Sequence, residues 1–127
     1  MTTYAVLLPG VEDTFERASA EERAAIYGRH EEFARTLAER GHTVAGGAEL
    51  THSRTAKKVS RDAGGRVVVT DGPYAETAEQ LTGFYLVESD DLDDLLQVCA
   101  ILAGPGDDGA DGTVEVRAVV DHGEGDA

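Results

Sequence analysis

The sequence has little of several residue types that usually define a protein's chemistry. It contains one cysteine, one methionine and no tryptophan, with only 11 lysine and arginine residues against 25 aspartate and glutamate residues. The single cysteine, Cys99, excludes a disulfide within the chain and lies in an apolar helical pattern, which predicts a buried thiol. No apolar run approaches the length of a membrane span, and the first thirty residues resemble neither a signal peptide nor a transit peptide. We therefore expect a cytoplasmic protein.

The net charge of -14 also restricts the partners of this chain. A nucleic-acid-binding surface must neutralise phosphates with basic side chains, so we expect neither nucleic acid nor an anionic membrane as a partner. One short stretch is basic, and it is either a solvated hairpin edge or a site that holds a substrate carboxylate. Its basic residues are Arg54, Lys57, Lys58, Arg61 and Arg66.

Motifs for bound cofactors and metals are missing as well. The sequence has no P-loop, no G-x-G-x-x-G after a predicted strand, no G-x-S-x-G and no H-E-x-x-H. His42, His52 and His122 are scattered without the spacing of a zinc site. The expectation is chemistry without a cofactor or a metal.

Periodic apolar runs predict one α+β domain over residues 1–120, followed by a disordered tail over 121–127. Ser19 and Glu22 form a capping box that starts a helix, and Gly41 ends it. Gly46 and Gly47 indicate a bulge or a close backbone approach in the strand that follows. The predicted strands are 3–8, 43–50, 55–61, 66–70, 81–88 and 113–120, and the predicted helices are 19–40 and 90–103.

This order of elements is typical of a ferredoxin-like split βαβ arrangement with an inserted β-hairpin. Both helices cover one face of the antiparallel sheet. Because the strands 3–8 and 81–88 carry apolar residues on both faces, the second face requires a cover, and a second copy of the chain under twofold symmetry supplies one. We expect a homodimer.

His30 and Asp71 are the candidate catalytic residues. His30 lies on the apolar stripe of the first helix, where partial desolvation makes its pKa adjustable by a nearby carboxylate. Asp71 opens a D-G-P-Y turn, and pairing with His30 would fix the imidazole tautomer for general acid–base catalysis. Both residues have a structural alternative, His30 as a core-edge histidine bonded to a carbonyl and Asp71 as an ordinary Asx turn.

Three tyrosines are candidate substrate-binding residues because they lie near this pair in the sequence. Tyr27 precedes His30 by one helical turn, while Tyr74 and Tyr85 flank the D-G-P turn and the next strand. A phenol at these positions either binds a substrate oxygen or simply packs as an amphipathic side chain.

The segments VVVTDGPYAETAEQLTGFYLVE, DLDDLLQ and GTVEVRAVV, in this order after a helix with His30 and Phe33, resemble the YciI-like (YCII-related) family in its DGPF-motif branch. The resemblance covers nearly the whole chain. It implies a dimeric ferredoxin-like α/β barrel with a pocket in each subunit, and a His and Asp pair that matches His30 and Asp71. The chain departs from the family pattern at Tyr74, Ala78 and Thr82.

Two functions from different classes remain open. One is a small cofactor-independent enzyme, a lyase or isomerase in which His30 moves a proton next to a carbonyl or lactone and Asp71 orients it. The other is a non-catalytic small-molecule-binding or accessory module. The residue types permit both, and the resemblance favours the enzyme.

Overall fold

The computed structural model describes residues 1–75, 77, 79–103 and 112–123. The sequence also predicts a polar, acidic loop over residues 104–112. Most of this loop and most of the predicted tail lie outside the described residues, as does Ala78. The elements in chain order are β1 (Thr2–Gly10), α1 (Glu12–Arg17), α2 (Ala20–Glu39), β2 (Thr43–Glu49), β3 (Lys57–Arg61), β4 (Val67–Asp71), β5 (Gln80–Ser89), α3 (Leu92–Cys99) and β6 (Glu115–Ala118). A single 3-10 turn, Ser53–Thr55, precedes β3.

Four strands form the main sheet in the order β2-β5-β1-β6, and every neighbouring pair is antiparallel. The strands β1 and β2 therefore run parallel to each other with β5 between them. Among the described residues, β3 and β4 pair only with each other, in a separate two-stranded sheet. The α+β class is confirmed, and the sheet order is compatible with a ferredoxin-like fold.

The core lies between the sheet and the two longer helices. Its central side chains come from β1 and β5 on one side and from α2 and α3 on the other, so both helices cover the same face of the sheet. Cys99 belongs to this core, as predicted, and burial raises the pKa of its thiol to about 11. The fully buried members are Val6, Phe33, Leu37, Val87, Leu95 and Val98.

Local sequence signals explain the ends of α2. The Ser19 hydroxyl accepts a hydrogen bond from the Glu22 amide, and the Glu22 carboxylate accepts one from the Ser19 amide, which confirms the predicted capping box. After the helix, Gly41 adopts a φ of 84°, a left-handed conformation that favours glycine. The predicted inward stripe of this helix, which comprises Ile26, His30, Phe33, Ala34 and Leu37, is correct at Phe33 and Leu37, which are buried.

Several expectations need correction. The sequence predicts that Pro9 and Gly10 end the first strand, but β1 continues to Gly10. β6 pairs with β1 only as far as Leu7 and a bulge follows Leu8, so the missing N–H of Pro9 breaks no ladder bond there. The apolar pattern of the second long helix predicts an inward stripe of Leu92, Leu95, Leu96, Cys99 and Leu102. This prediction is wrong at Leu92 and Leu96, which are exposed, and it omits Val98, which is buried. Within the described ranges, no helix is long and apolar enough to cross a bilayer.

The helix α1 was not predicted from the sequence. It has six residues, none of them buried, and its cap residue Val11 makes no side-chain hydrogen bond. Contacts from distant segments hold it instead: the Arg23 guanidinium donates to the carbonyls of Phe15 and Glu16, and the Ser53 amide donates to the Glu12 carboxylate. Such contacts leave no local sequence pattern.

Candidate functional site

The α2 helix places Tyr27 and His30 one turn apart above the strands β2 and β5. His30 Nδ1 lies 2.7 Å from the Tyr85 hydroxyl oxygen, and the two rings are stacked with their centroids 5.8 Å apart. Tyr85 in turn packs on Phe33, with ring centroids 5.0 Å apart, so it faces the helices. The structure thus brings together three of the five predicted site residues.

Glu49 completes this cluster from the end of β2. The Tyr27 hydroxyl donates to the Glu49 carboxylate, with distances of 3.1 Å and 3.4 Å to its two oxygens. The carboxylate therefore lies on the same side of the sheet as Tyr85. We refer to Tyr27, His30, Glu49 and Tyr85 as the histidine–tyrosine cluster.

Each polar residue that the sheet contributes to the cluster lies opposite a glycine on the neighbouring strand. In the pairing of β2 with β5, Gly47 lies opposite Tyr85 and Glu49 lies opposite Gly83. A Cβ atom at Gly47 would lie 2.5 Å from the Phe84 carbonyl oxygen, and one at Gly83 would lie 2.8 Å from a carbonyl oxygen of β2. Both positions therefore require glycine. The expected close approach at Gly47 is confirmed, and a register shift between Val44 and Gly46 confirms the bulge.

Burial sets the protonation states of the central pair. It lowers the pKa of the His30 imidazole below its ordinary value, and Arg29 lowers it further, whereas Glu49 acts in the opposite direction. Burial also raises the pKa of the Tyr85 hydroxyl, and the charge of Glu49 adds to this effect. A neutral imidazole and a protonated phenol therefore share the hydrogen bond near pH 7.

This hydrogen bond can be arranged in two ways. If Tyr85 donates to His30 Nδ1, Nε2 carries the imidazole proton; if Nδ1 donates to the phenol oxygen, Nε2 presents a free lone pair. In the second arrangement Nε2 is a base and the Tyr85 hydroxyl is an acid. The pair can thus accept a proton at one atom and donate a proton at another.

Asp71 and Tyr74 lie apart from the cluster. Asp71 forms an ion pair with Lys57, its cross-strand neighbour in the two-stranded sheet. No hydrogen bond or ion pair joins Asp71 to His30 within the described residues. Asp71 lines a hollow of about 380 Å³ together with Pro73, and Tyr74 is 98% exposed.

A second polar network lies at the far end of the same strands. His42 Nδ1 is 2.8 Å from the Ser89 hydroxyl, and His42 Nε2 is 2.7 Å from an Asp94 carboxylate oxygen. The set contains the residue types of a hydrolase triad, but Ser89 is only 1% exposed and its oxygen also accepts the Asp91 amide hydrogen. A hydroxyl held this way is inaccessible to substrate, so the network ties β2 and β5 to the start of α3.

One group of side chains has the composition of a cation site. Ligand atoms of Asp13, Glu16 and His52 lie within 4.8 Å of one another. His52 Nδ1 accepts the Arg54 amide hydrogen, so in the neutral ring Nε2 carries the proton, and its partner is Asp13 at 3.2 Å. Arg54 also binds both oxygens of the Glu16 carboxylate. These hydrogen bonds occupy the atoms that a metal ion requires.

Comparison with known proteins identifies the family of this chain. The family model of the YCII-related domain matches residues 2–122. The chain belongs to the YCII-related family. The match spans every helix and strand of the YCII-related fold described above, including all four members of the histidine–tyrosine cluster.

This YCII-related chain also resembles an uncharacterized protein of Rhizobium meliloti (strain 1021), with 41% identity over 63 residues. The matched segment is 50% of the chain and 49% of the relative, so the similarity spans about half the length of each. No activity is stated for this relative, so the chemistry of the site in this chain is inferred from the residues of the site.

Proposed function

We propose that the chain is a small cofactor-independent enzyme of the lyase or isomerase type. His30 removes or relays a proton next to a carbonyl or lactone group of a small organic substrate, and Tyr85 exchanges a proton with His30. The observation that carries the proposal is the 2.7 Å hydrogen bond between His30 Nδ1 and the Tyr85 hydroxyl. The neutral imidazole accepts the proton, and the phenol donates one to the substrate oxygen.

The other predicted residues keep different places in the proposal. Tyr27 is a substrate-binding residue whose hydroxyl is held by Glu49. Asp71 remains a predicted catalytic residue and Tyr74 a predicted binding residue of the DGPF-type turn. A contact of Asp71 with His30 requires either that its ion pair with Lys57 opens or that a partner subunit supplies the turn.

Hydrogen–deuterium exchange tests this proposal without knowledge of the natural substrate. In D2O, an enzyme that removes a proton next to a carbonyl catalyses loss of that proton's NMR signal. We expect the wild-type chain to accelerate exchange in at least one member of a panel of cyclic ketones and unsaturated γ-lactones. His30→Ala should abolish this acceleration while its circular dichroism spectrum stays unchanged. Acceleration that persists in His30→Ala would contradict the proposal.

A non-catalytic small-molecule-binding or accessory module is the second candidate. The ion pair between Asp71 and Lys57 favours it, because it keeps the predicted catalytic carboxylate away from His30. A binding module predicts that ligands from the same panel shift the NMR signals of the cluster without any exchange in D2O. Exchange that depends on His30 would eliminate this candidate.

We also propose that the chain is a cytoplasmic homodimer that forms an α/β barrel, with the two-stranded sheet as its inserted hairpin. The sheet face away from the helices carries Ala5 and Leu7 of β1 and Phe84 and Leu86 of β5. Sedimentation equilibrium should give the mass of two chains, and Phe84→Glu should give the mass of one. A wild-type mass of one chain would refute the dimer.

A further inference from the structure

The histidine–tyrosine cluster contains a carboxylate that the proposed reaction does not yet use. Glu49 is fixed by the Tyr27 hydroxyl, and it lies diagonally across the β2 and β5 pairing from Tyr85. Diagonal neighbours in an antiparallel pair are separated by about 7–8 Å at the backbone, within reach of long side chains. Glu49 and the His30–Tyr85 pair thus lie on the same face of the sheet, and only the glycines Gly47 and Gly83 lie opposite the two sheet residues Tyr85 and Glu49.

We propose that Glu49, rather than Asp71, is the positioning carboxylate of the His30–Tyr85 pair, and that it selects an uncharged ligand over an anionic one. This inference rests on the proposed function and adds a residue and a ligand class to it. The side chain acts through space on His30 and Tyr85 and through a hydrogen bond on Tyr27.

The ligand class follows from the polar groups of the histidine–tyrosine cluster. Of the cluster's four side chains, only Glu49 is formally charged near pH 7, and two phenols and an imidazole supply hydrogen bonds. Two cations of α2 act on the cluster, Arg29 on His30 and Arg23 on Tyr27. Arg29 is exposed, and the Arg23 guanidinium already donates to two backbone carbonyls of α1. A ligand carboxylate would therefore meet the Glu49 charge in a chain whose net charge is already -14. A ring with a neutral carbonyl or hydroxyl oxygen suits the stacked aromatic side chains and the available donors.

The positioning role is tested by NMR titration of His30 and Tyr85. Because the charge of Glu49 raises both pKa values, Glu49→Gln should lower both, while its amide oxygen still accepts the Tyr27 hydrogen bond. Glu32→Gln is the matched control, since Glu32 is an exposed carboxylate on the same helix as His30 and its replacement changes the net charge by the same amount as Glu49→Gln. We expect Glu32→Gln and Asp71→Asn to leave the His30 titration unchanged. A shift of His30 in Asp71→Asn with none in Glu49→Gln would overturn the inference and support the His30–Asp71 pair.

The ligand class is tested with benzamide and benzoate, which are matched in shape and differ by one charge. We expect benzamide to shift the ring signals of His30 and Tyr85 and to bind roughly tenfold more tightly than benzoate. Glu49→Gln should remove most of this preference. Equal binding of the two probes to the wild type, tighter binding of benzoate, or binding of neither would contradict the selection of uncharged ligands.

These experiments distinguish a failure of the proposed reaction from a failure of the proposed role of Glu49. If no compound exchanges hydrogen in D2O but Glu49→Gln still lowers both pKa values, the enzyme proposal fails and the positioning role stands. If exchange occurs and depends on His30 but Glu49→Gln leaves both titrations unchanged, the enzyme stands and the role of Glu49 fails.

Discussion

Replacement of Ser89 by alanine removes the centre of the buried network that ties β2 and β5 to α3. The Ser89 oxygen accepts the Asp91 amide hydrogen at 3.0 Å and lies 2.8 Å from His42 Nδ1. Its hydroxyl can also donate to the Asp91 carbonyl oxygen at 3.1 Å. That carbonyl oxygen keeps a second partner, the Leu95 amide, so it tolerates the change.

Two groups lose a partner in Ser89→Ala, and their burial sets the cost. Each buried polar group left without a partner costs about 1–3 kcal/mol. His42 is buried and bears the full cost, whereas Asp91 is an exposed residue whose amide water can reach. We therefore expect the free energy of unfolding to fall by about 1–3 kcal/mol, which corresponds to a fall in Tm of roughly 4–12 °C for a chain of this size.

Urea unfolding followed by circular dichroism measures this loss. Ser60→Ala is the control, because Ser60 is an exposed residue of β3 whose hydroxyl makes no hydrogen bond within the described residues. It should change the free energy of unfolding by less than about 0.5 kcal/mol. If Ser89→Ala costs no more than Ser60→Ala, the network does not stabilise the fold and the reasoning is wrong.

Three further predictions follow from the same structure. Gly47→Ala should lower the free energy of unfolding by about 1–3 kcal/mol, because the added Cβ meets the Phe84 carbonyl oxygen. Gly28→Ala in α2 should raise it by about 0.5–1 kcal/mol, because no atom lies near the added Cβ and alanine favours the helix. Urea unfolding of both variants checks these opposite signs. The hydrogen bond from His42, together with Arg40, lowers the pKa of Asp94 in the folded chain. The Asp94 carboxylate therefore stabilises the fold above its ordinary pKa, and this stabilisation is lost as the pH falls through the lower folded pKa. Asp94→Asn should flatten the acid side of the curve of stability against pH below about pH 4. Cys99, with a pKa of about 11, should react with Ellman's reagent at pH 8 only when urea unfolds the chain, and rapid reaction of the folded chain would contradict its burial.

Local patterns were sufficient to predict much of the fold. The capping box of Ser19 and Glu22 and the left-handed Gly41 determine α2 through contacts a few residues apart, so they can be read in one sequence. The short, continuous apolar runs of β1 and β5 likewise indicate strands that carry apolar residues on both faces. The helix α1 has no such pattern, because its stabilising partners Arg23 and Ser53 are distant in the chain.

The candidate site was only partly predictable for the same reason. His30 was recognisable as a polar residue on an apolar stripe, but nothing near Glu49 in the sequence marks it. Its role depends on β2 lying beside β5 beneath α2, which is a tertiary arrangement. The sequence did contain a signal for the ion pair of Asp71 with Lys57. The turn over residues 62–65 fixes the register of the hairpin, and this register places Lys57 opposite Asp71.

The central claim is that His30 and Tyr85 act together as a proton-transfer pair. The most direct test is the hydrogen–deuterium exchange rate of an active ketone or lactone in Tyr85→Phe, compared with Tyr4→Phe. Tyr4 packs against the same core, and its hydroxyl makes no hydrogen bond within the described part of the chain. The account predicts that Tyr85→Phe lowers the rate by about 10²–10⁴-fold while Tyr4→Phe leaves it unchanged. Equal rates in the two variants would contradict it.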